Sequence, residues 1–314
     1  MRFSFRKLWI AWKGWGDIVL KVNESASASL DEMVRGLSVQ QVRTVVARAL
    51  AEDLGHGDVT TNLTVPESQK ARGTFYSKQS LVVAGLPVAV EVFRTLEPVC
   101  VWESVVADGT EVAVGRALAT VEGKAATLLS GERVALNFLQ RLSGVASLTR
   151  KFKGQLAGFK TELLDTRKTN PGLRVLEKYA VRMGGGTNHR MGLDDGILIK
   201  NNHIDIAGGI RNAVESARQR RPAGMLIEVE VRNRRELEDA IEAGTDIALL
   251  DNMSIPEVLE CVTVAKGRVL LEVSGGVSLE NVRAYAETGV ERISVGALTH
   301  SAPAADINFL IETL

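Results

Sequence analysis

The chain reads as an α/β protein: an incomplete, six-stranded parallel α/β barrel preceded by an N-terminal α+β open-faced sandwich domain. Three observations predict it. After Gly144, six short apolar strands alternate with helical stretches, and strands apolar on both faces mark a parallel sheet covered by helices. No Gly-x-Gly-x-x-Gly follows the first of them, which favours a barrel over an open dinucleotide-binding sheet. Before Thr127 the text is instead short β-branched runs bounded by glycine or proline, the mark of antiparallel strands.

The bulk composition sets the limits. The 314 residues suffice for a full core and two unequal domains. A formal net charge of +0 gives no global pull toward nucleic acid or an anionic membrane, so neither is expected as a partner. Cys100 and Cys261 form no disulfide framework and no zinc spacing, which suits a reducing cytoplasm. No apolar run approaches the roughly 20 residues that span a bilayer.

The chain divides into four stretches. Residues 1–29 form an extension, with Trp9, Trp12 and Trp15 among basic residues and a Ser/Ala-rich end; it is expected to be disordered. Residues 30–142 hold the N-terminal domain. Ser38 is placed to cap a helix through Val42, Val46 and Leu50. Glu52, Asp53 and Asp58 follow in a glycine-punctuated turn and read as caps rather than catalytic acids. Strands are expected at Gly73–Ser77, Leu81–Gly85 and around Val112–Val121, with a helix from Val88. A connecting helix runs from Thr127 to Leu142, and Arg133 beside its apolar stripe reads, alone, as a solvated or salt-bridged arginine.

Residues 143–298 hold the barrel. Its strands are expected at 161–165, 197–200, 225–231, 247–251, 269–274 and 292–296. Helices are expected at 173–182, 206–221, 234–243, 255–264 and 279–287. Residues 299–314 are expected to form a C-terminal helix packing back on the N-terminal domain.

Barrel active sites lie at the C-terminal ends of the strands. Those ends carry Arg167 and Lys168, then Lys200, Glu230, Asp251, Ser274-Gly275-Gly276, and Gly296 between Val295 and Ala297. His189 and Arg190 add cations after the Gly-Gly-Gly run. Two glycine turns leading into helices suit a phosphate. Glu230 and Asp251 are hard oxygen donors for Mg²⁺, ribose hydroxyls or a developing positive charge. Lys200 suits a phosphate cation or, desolvated, a Schiff-base nucleophile of an aldolase. The pattern describes a phosphorylated sugar, a magnesium-bound polyanion and a carboxylate-rich partner.

The motifs Asp165-Thr-Arg-Lys-Thr-Asn-Pro-Gly172, Lys178-Tyr-Ala-Val through Asn188-His-Arg190, Ile199-Lys-Asn-Asn-His203, Glu228-Val-Glu-Val231, Leu249-Leu-Asp-Asn252 and Val295-Gly-Ala-Leu-Thr-His-Ser301 together resemble the quinolinate phosphoribosyltransferase family. The likeness runs from about Leu37 to the C-terminus. It implies that quinolinate and phosphoribosyl pyrophosphate give nicotinate mononucleotide, pyrophosphate and CO₂, with Mg²⁺. It also implies a homodimer in which Arg133 crosses into the partner's site. Carried over by motif, Arg167, Lys168, His189 and Arg190 bind the quinolinate carboxylates, Arg133 is the substrate-binding residue donated by the partner, and Thr166 is a further substrate-binding residue. Lys200, Glu230 and Asp251 face ribose and pyrophosphate, with Glu230 and Asp251 as metal residues. Ser274, Gly275, Gly276, Val295, Gly296 and Ala297 hold the 5′-phosphate. Lys168, Lys200, Glu230 and Asp251 would be catalytic. Asn201 departs from the pattern, standing where the family usually has an acid. A molybdenum-transport-associated relative of the family and a phosphosugar-binding protein without catalysis are the other readings.

Overall fold

The computed structural model describes residues 37–314; the expected extension over 1–29 and the expected start of folded structure near Leu30 lie outside them. Helix α1 (Val39–Leu54) buries Val42, Val46 and Leu50, one turn apart. It starts after Ser38 as the spacing predicts, but the Ser38 side chain makes no capping bond. Asp58 does cap. Its carboxylate accepts from the Thr61 backbone N–H at 2.9 Å, starting α2 (Val59–Thr64), and from the hydroxyls of Thr61 and Ser130 at 2.6 and 3.0 Å. Those hydrogen bonds, Thr61 first, lower its pKa.

Next come β1 (Lys70–Ser77), β2 (Leu81–Val82), α3 (Leu86–Leu96), β3 (Val101–Ser104), β4 (Glu111–Val112) and β5 (Ala117–Lys124). In β1, Ala71, Gly73, Phe75 and Ser77 are buried while alternate residues are not. That is the alternation of a sheet covered on one face, and helices α3 and α4 provide the cover. Asp108 caps α3 from a distance, accepting from the Gly85 and Leu86 N–H groups at 2.7 and 3.2 Å.

Helix α4 (Ala125–Gln155) is longer than the sequence reading allows, running 31 residues instead of stopping at Leu142. The expected domain boundary at 142/143 therefore falls inside a helix. Gly144 lies within it and is there for space: a Cβ on it would lie 2.0 Å from the Pro303 carbonyl oxygen. One continuous helix thus underlies both domains.

The barrel follows as β6 (Glu162–Leu164), α5 (Arg174–Met183), β7 (Ile197–Ile199), α6 (Asn201–Ala207), α7 (Ile210–Arg220), β8 (Ile227–Val231), α8 (Arg234–Ala243), β9 (Ile247–Asp251), α9 (Ile255–Ala265), β10 (Leu270–Ser274), α10 (Val282–Glu287), β11 (Arg292–Ser294) and α11 (Ala297–His300). The helix expected over 206–221 is two helices, separated by Gly208-Gly209. All six strands are parallel, in the order β6-β11-β10-β9-β8-β7. The first two strands of the barrel are therefore its two edges. The seam between them is narrowed by a single bridge from Leu164 to Thr187.

The C-terminal stretch corrects the expected helix. It is strand β12 (Ile307–Thr313), antiparallel to β1 and completing the order β12-β1-β5-β3. Ile307 and Phe309 are buried on one face while Leu310 and Glu312 are exposed, a period of two that no helix satisfies. Phe309 lies 4.4 Å from Phe75 and 5.9 Å from Phe93 between ring centroids. The end of the chain thus becomes part of the N-terminal core.

Candidate active site

A cavity of about 300 Å³ opens at the C-terminal ends of the barrel strands. Thr166, Arg167 and Lys168 enter it after β6, His189 and Arg190 from the seam, and Lys200 after β7. Glu230 of β8, Asp251 of β9, Ser274 of β10 and Ser294 of β11 complete the ring. Ser274 is in register with Asp251 on one side and Ser294 on the other, so the strand ends lie level.

Two loops carry the cations, and one buried hub joins them. Asp165 accepts from Lys178 Nζ at 2.5 Å, from Asn188 Nδ2 at 2.6 Å and from the His189 backbone N–H at 2.9 Å. Lys178 also donates to the His189 carbonyl at 2.9 Å. Burial pushes the Asp165 carboxyl up and the Lys178 ammonium down in pKa. A pair in this setting is favourable only when its remaining valences are filled, as they are here. The hub fixes the 165–168 loop against 187–190.

The cations themselves lack a close carboxylate partner. Among the described residues, Arg167, Lys168 and Arg190 form no ion pair with a carboxylate. Arg167 Nε is buried with no hydrogen-bond partner. Burial, then the charge of Arg167, lowers the pKa of Arg190. Two guanidinium groups held close enough to repel define a site for an anion.

His189 has a different place. Its Nε2 lies 2.9 Å from Glu228 and 3.6 Å from Glu272, while Nδ1 accepts the Arg190 backbone N–H at 2.8 Å. Burial opposes the imidazolium, but the Glu228 hydrogen bond and the charges of Glu228 and Glu272 outweigh it and raise the pKa. The Arg190 N–H makes Nδ1 an acceptor, so Nε2 is the nitrogen that faces Glu228 as a donor. The three side chains have metal-ligating spacing, yet a ring nitrogen that carries a proton toward Glu228 is a donor and not a ligand.

Strand alternation explains why these carboxylates are here. Glu228 lies two residues before Glu230 and Glu272 two before Ser274, on the same inner face. Only the strand-end positions drew attention in the sequence; the same period of two marks Glu228, Glu272, Leu198 and Leu249 as the layer beneath.

Burial, then the charge of Glu228, pushes the Glu272 carboxyl up to about 7 from an ordinary 4.5. Glu272 is thus protonated more readily folded than unfolded, and its contribution to stability falls as pH rises from about 4.5 to about 7. Glu272→Gln should remove that loss. Denaturant melts at about pH 8 should then favour the variant over the parent by up to about 3 kcal/mol more than melts at about pH 4. A gap that does not change with pH would refute the buried-acid account.

The glycine turns differ in the backbone donors they leave free. The N–H groups of Gly275, Gly276, Gly296 and Ala297 donate to no backbone carbonyl among the described residues. The Val295 N–H does, to Leu164 at 2.9 Å, so Val295 has no free donor for a phosphate. Gly296 also makes room for a cation: a Cβ there would lie 2.9 Å from Lys168 Cδ. The Thr166 hydroxyl accepts the Lys168 N–H at 3.0 Å, bracing the loop. Glu230 accepts from Asn201 Nδ2 at 2.8 Å. Arg133 stands apart, exposed on α4 and outside the cavity of its own chain.

A cation-lined cavity at the strand ends of a parallel barrel, with carboxylates facing glycine turns, defines an enzyme of the barrel class that handles phosphorylated anions. Comparison with known proteins narrows the class. The model for the quinolinate phosphoribosyl transferase C-terminal domain matches residues 145–310, and the N-terminal domain model matches 58–143. The chain belongs to the quinolinate phosphoribosyltransferase family. It is 42% identical over 266 residues to a probable nicotinate-nucleotide pyrophosphorylase [carboxylating] of Synechocystis sp., covering 83% of this chain and 90% of that one. A Bacillus subtilis protein of the same description is 41% identical, covering 85% and 92%. The solved nicotinate-nucleotide pyrophosphorylase of Francisella tularensis superposes with a TM-score of 0.83 at 40% identity, over 87% of this chain and 96% of that one.

Proposed function

We propose that the protein is a quinolinate phosphoribosyltransferase (decarboxylating). It converts quinolinate and 5-phosphoribosyl 1-pyrophosphate to nicotinate mononucleotide, pyrophosphate and CO₂, a step of NAD biosynthesis. One observation carries this reading: Arg167 and Arg190 lie together without a carboxylate partner, in the same cavity as the acids Glu230 and Asp251. Two forked guanidinium groups suit a planar dicarboxylate. The acids suit a carbon that becomes positive.

The quinolinate nitrogen attacks the anomeric carbon. The new C–N bond forms as the C–O bond to pyrophosphate breaks, and that electron pair leaves with pyrophosphate. Glu230 and Asp251 stabilise the oxocarbenium-like charge, and Lys168 and Lys200 receive the leaving group. The free N–H groups of Gly275, Gly276, Gly296 and Ala297, with the Ser274 hydroxyl, hold the 5′-phosphate. The C2–carboxylate bond then breaks. CO₂ departs, the electron pair stays at C2 beside the quaternary nitrogen, and a proton replaces the lost carboxylate. No covalent nucleophile is required, so Lys200 has no need to form a Schiff base.

The residues fit Mg²⁺. Burial and the Asp251 charge raise the Glu230 pKa, a strain that a divalent cation relieves, and both acids offer hard oxygens. Mg²⁺ held by Glu230 and Asp251 would neutralise phosphate charge. Asn201 adds an amide oxygen, buried and without a partner, but no charge.

A homodimer completes the site. Exposed Leu129 on α4, with Val59 and Leu63 on the adjoining α2, supplies apolar surface for a second copy, and Arg133 from that copy enters this cavity. A reducing cytoplasm fits Cys100 and Cys261, both buried and free. Among the described residues no helix is long and apolar enough to cross a membrane.

The test is release of CO₂ from carboxyl-labelled quinolinate. It should depend on phosphoribosyl pyrophosphate, and nicotinate should not replace quinolinate. Turnover of nicotinate, or CO₂ release without the sugar phosphate, would sink the reading.

A further inference from the structure

A closed circuit of hydrogen bonds surrounds the base of the loop that bears Arg167 and Lys168, and apart from Lys168 none of its members lines the cavity. Glu177, fully buried in the first turn of α5, is its centre. Its Oε2 accepts the Asn170 backbone N–H at 3.0 Å, and Oε1 accepts Asn170 Nδ2 at 2.7 Å and Arg141 Nε at 2.9 Å. The same Arg141 guanidinium donates to the carbonyls of Ala302, at 2.7 Å, and Thr299. The Thr299 hydroxyl then donates to the Lys168 carbonyl at 2.8 Å. The loop is thus tied at Lys168 and at Asn170, on either side of Thr169, and both ties lead back to Arg141 on α4.

Two features distinguish this circuit from ordinary core packing. First, the Glu177 charge is matched by Arg141, so it does not draw on the cations of the cavity. Second, the lysine that the circuit holds packs close against a strand-end turn. Lys168 Cδ lies over Gly296, where an added Cβ would stand 2.9 Å from it. A small shift of the backbone at 168 therefore moves the ammonium, and displacements of about 1 Å in such positioning groups can cost about a hundredfold in rate.

We propose that Glu177, braced by Arg141, is a positioning residue that sets Arg167 and Lys168 at the spacing a planar dicarboxylate needs. The proposal rests on the functional reading above. It predicts that substrate affinity, and not only stability, depends on a carboxylate that never meets the substrate.

The test is calorimetric binding of quinolinate to the parent and to three variants. Glu177→Gln replaces one acceptor oxygen by a donor facing Arg141 and Asn170, and should weaken quinolinate binding at least about tenfold. Asn170→Ala, in a half-exposed loop and so safer for folding, should weaken it about three- to tenfold. Glu91→Gln is the control: it breaks another buried pair, with Arg43 at 3.0 Å, and should lower Tm while leaving quinolinate affinity unchanged. If the parent binds and both circuit variants bind within twofold of it, the circuit is structural only and the proposal is overturned. Equal weakening in Glu91→Gln would overturn it too, because general destabilisation would then explain the loss. A parent that does not bind quinolinate would overturn the functional reading, and this proposal with it.

Discussion

Glu230→Ala should lose about two to three orders of magnitude in turnover while binding quinolinate as the parent does. The carboxylate lies on the inner face of β8, held by the Asn201 amide at 2.8 Å and beside Asp251, whose charge helps to raise its pKa. Such an acid is poised for a charge that exists only in the transition state. It forms no ion pair with Arg167 or Arg190 among the described residues. The loss should therefore appear in kcat, with quinolinate Kd unmoved. Calorimetry and single-turnover rates separate the two, and full activity in the variant would rule out the role.

Arg133→Ala should abolish turnover although its side chain lies outside the cavity of its own chain. Arg190→Ala should also abolish it, from inside. Mixing the two inactive proteins under conditions that exchange subunits should restore about a quarter of the parent activity per site, since random pairing makes half the dimers mixed and each mixed dimer has one intact site. A mixture as inactive as its components would count against a shared site. Retained activity in Arg133→Ala alone would remove Arg133 from the site altogether.

How much of this was legible in the sequence depends on which physical rule each residue obeys. Arg167, Lys168, Lys200, Glu230, Asp251 and Ser274 were found because the C-terminal ends of parallel strands converge, so one rule collects them from distant positions. Glu228 and Glu272 follow from an equally simple rule, the period of two, but they lie a layer below the ends and belong to runs that read as plain core. The hub of Asp165 and Lys178 was hidden for another reason. Lys178 lies in an amphipathic helix, where a lysine normally marks the wet face, and only its partner Asp165, just after β6, shows that this one faces inward. Helix α4 was expected to stop at Leu142, and Gly144 just beyond, which admits a neighbouring backbone, looks in sequence like a glycine that ends a helix. The last strand was missed because its partner β1 comes so much earlier in the chain that no local pattern joins them.

That final pairing has a consequence for how the polypeptide reaches its native form. Strand β1 is joined on one edge by β5, soon after it is synthesised, but its other edge faces β12, with the entire barrel between them. While ribosomes are still making the barrel, that edge is unpaired, and Phe75 lacks the Phe309 ring that closes over it. Contacts of such long range make folding slow and leave open edges to seek other partners. The N-terminal sheet is thus begun early in the chain and completed only when β12 pairs with β1.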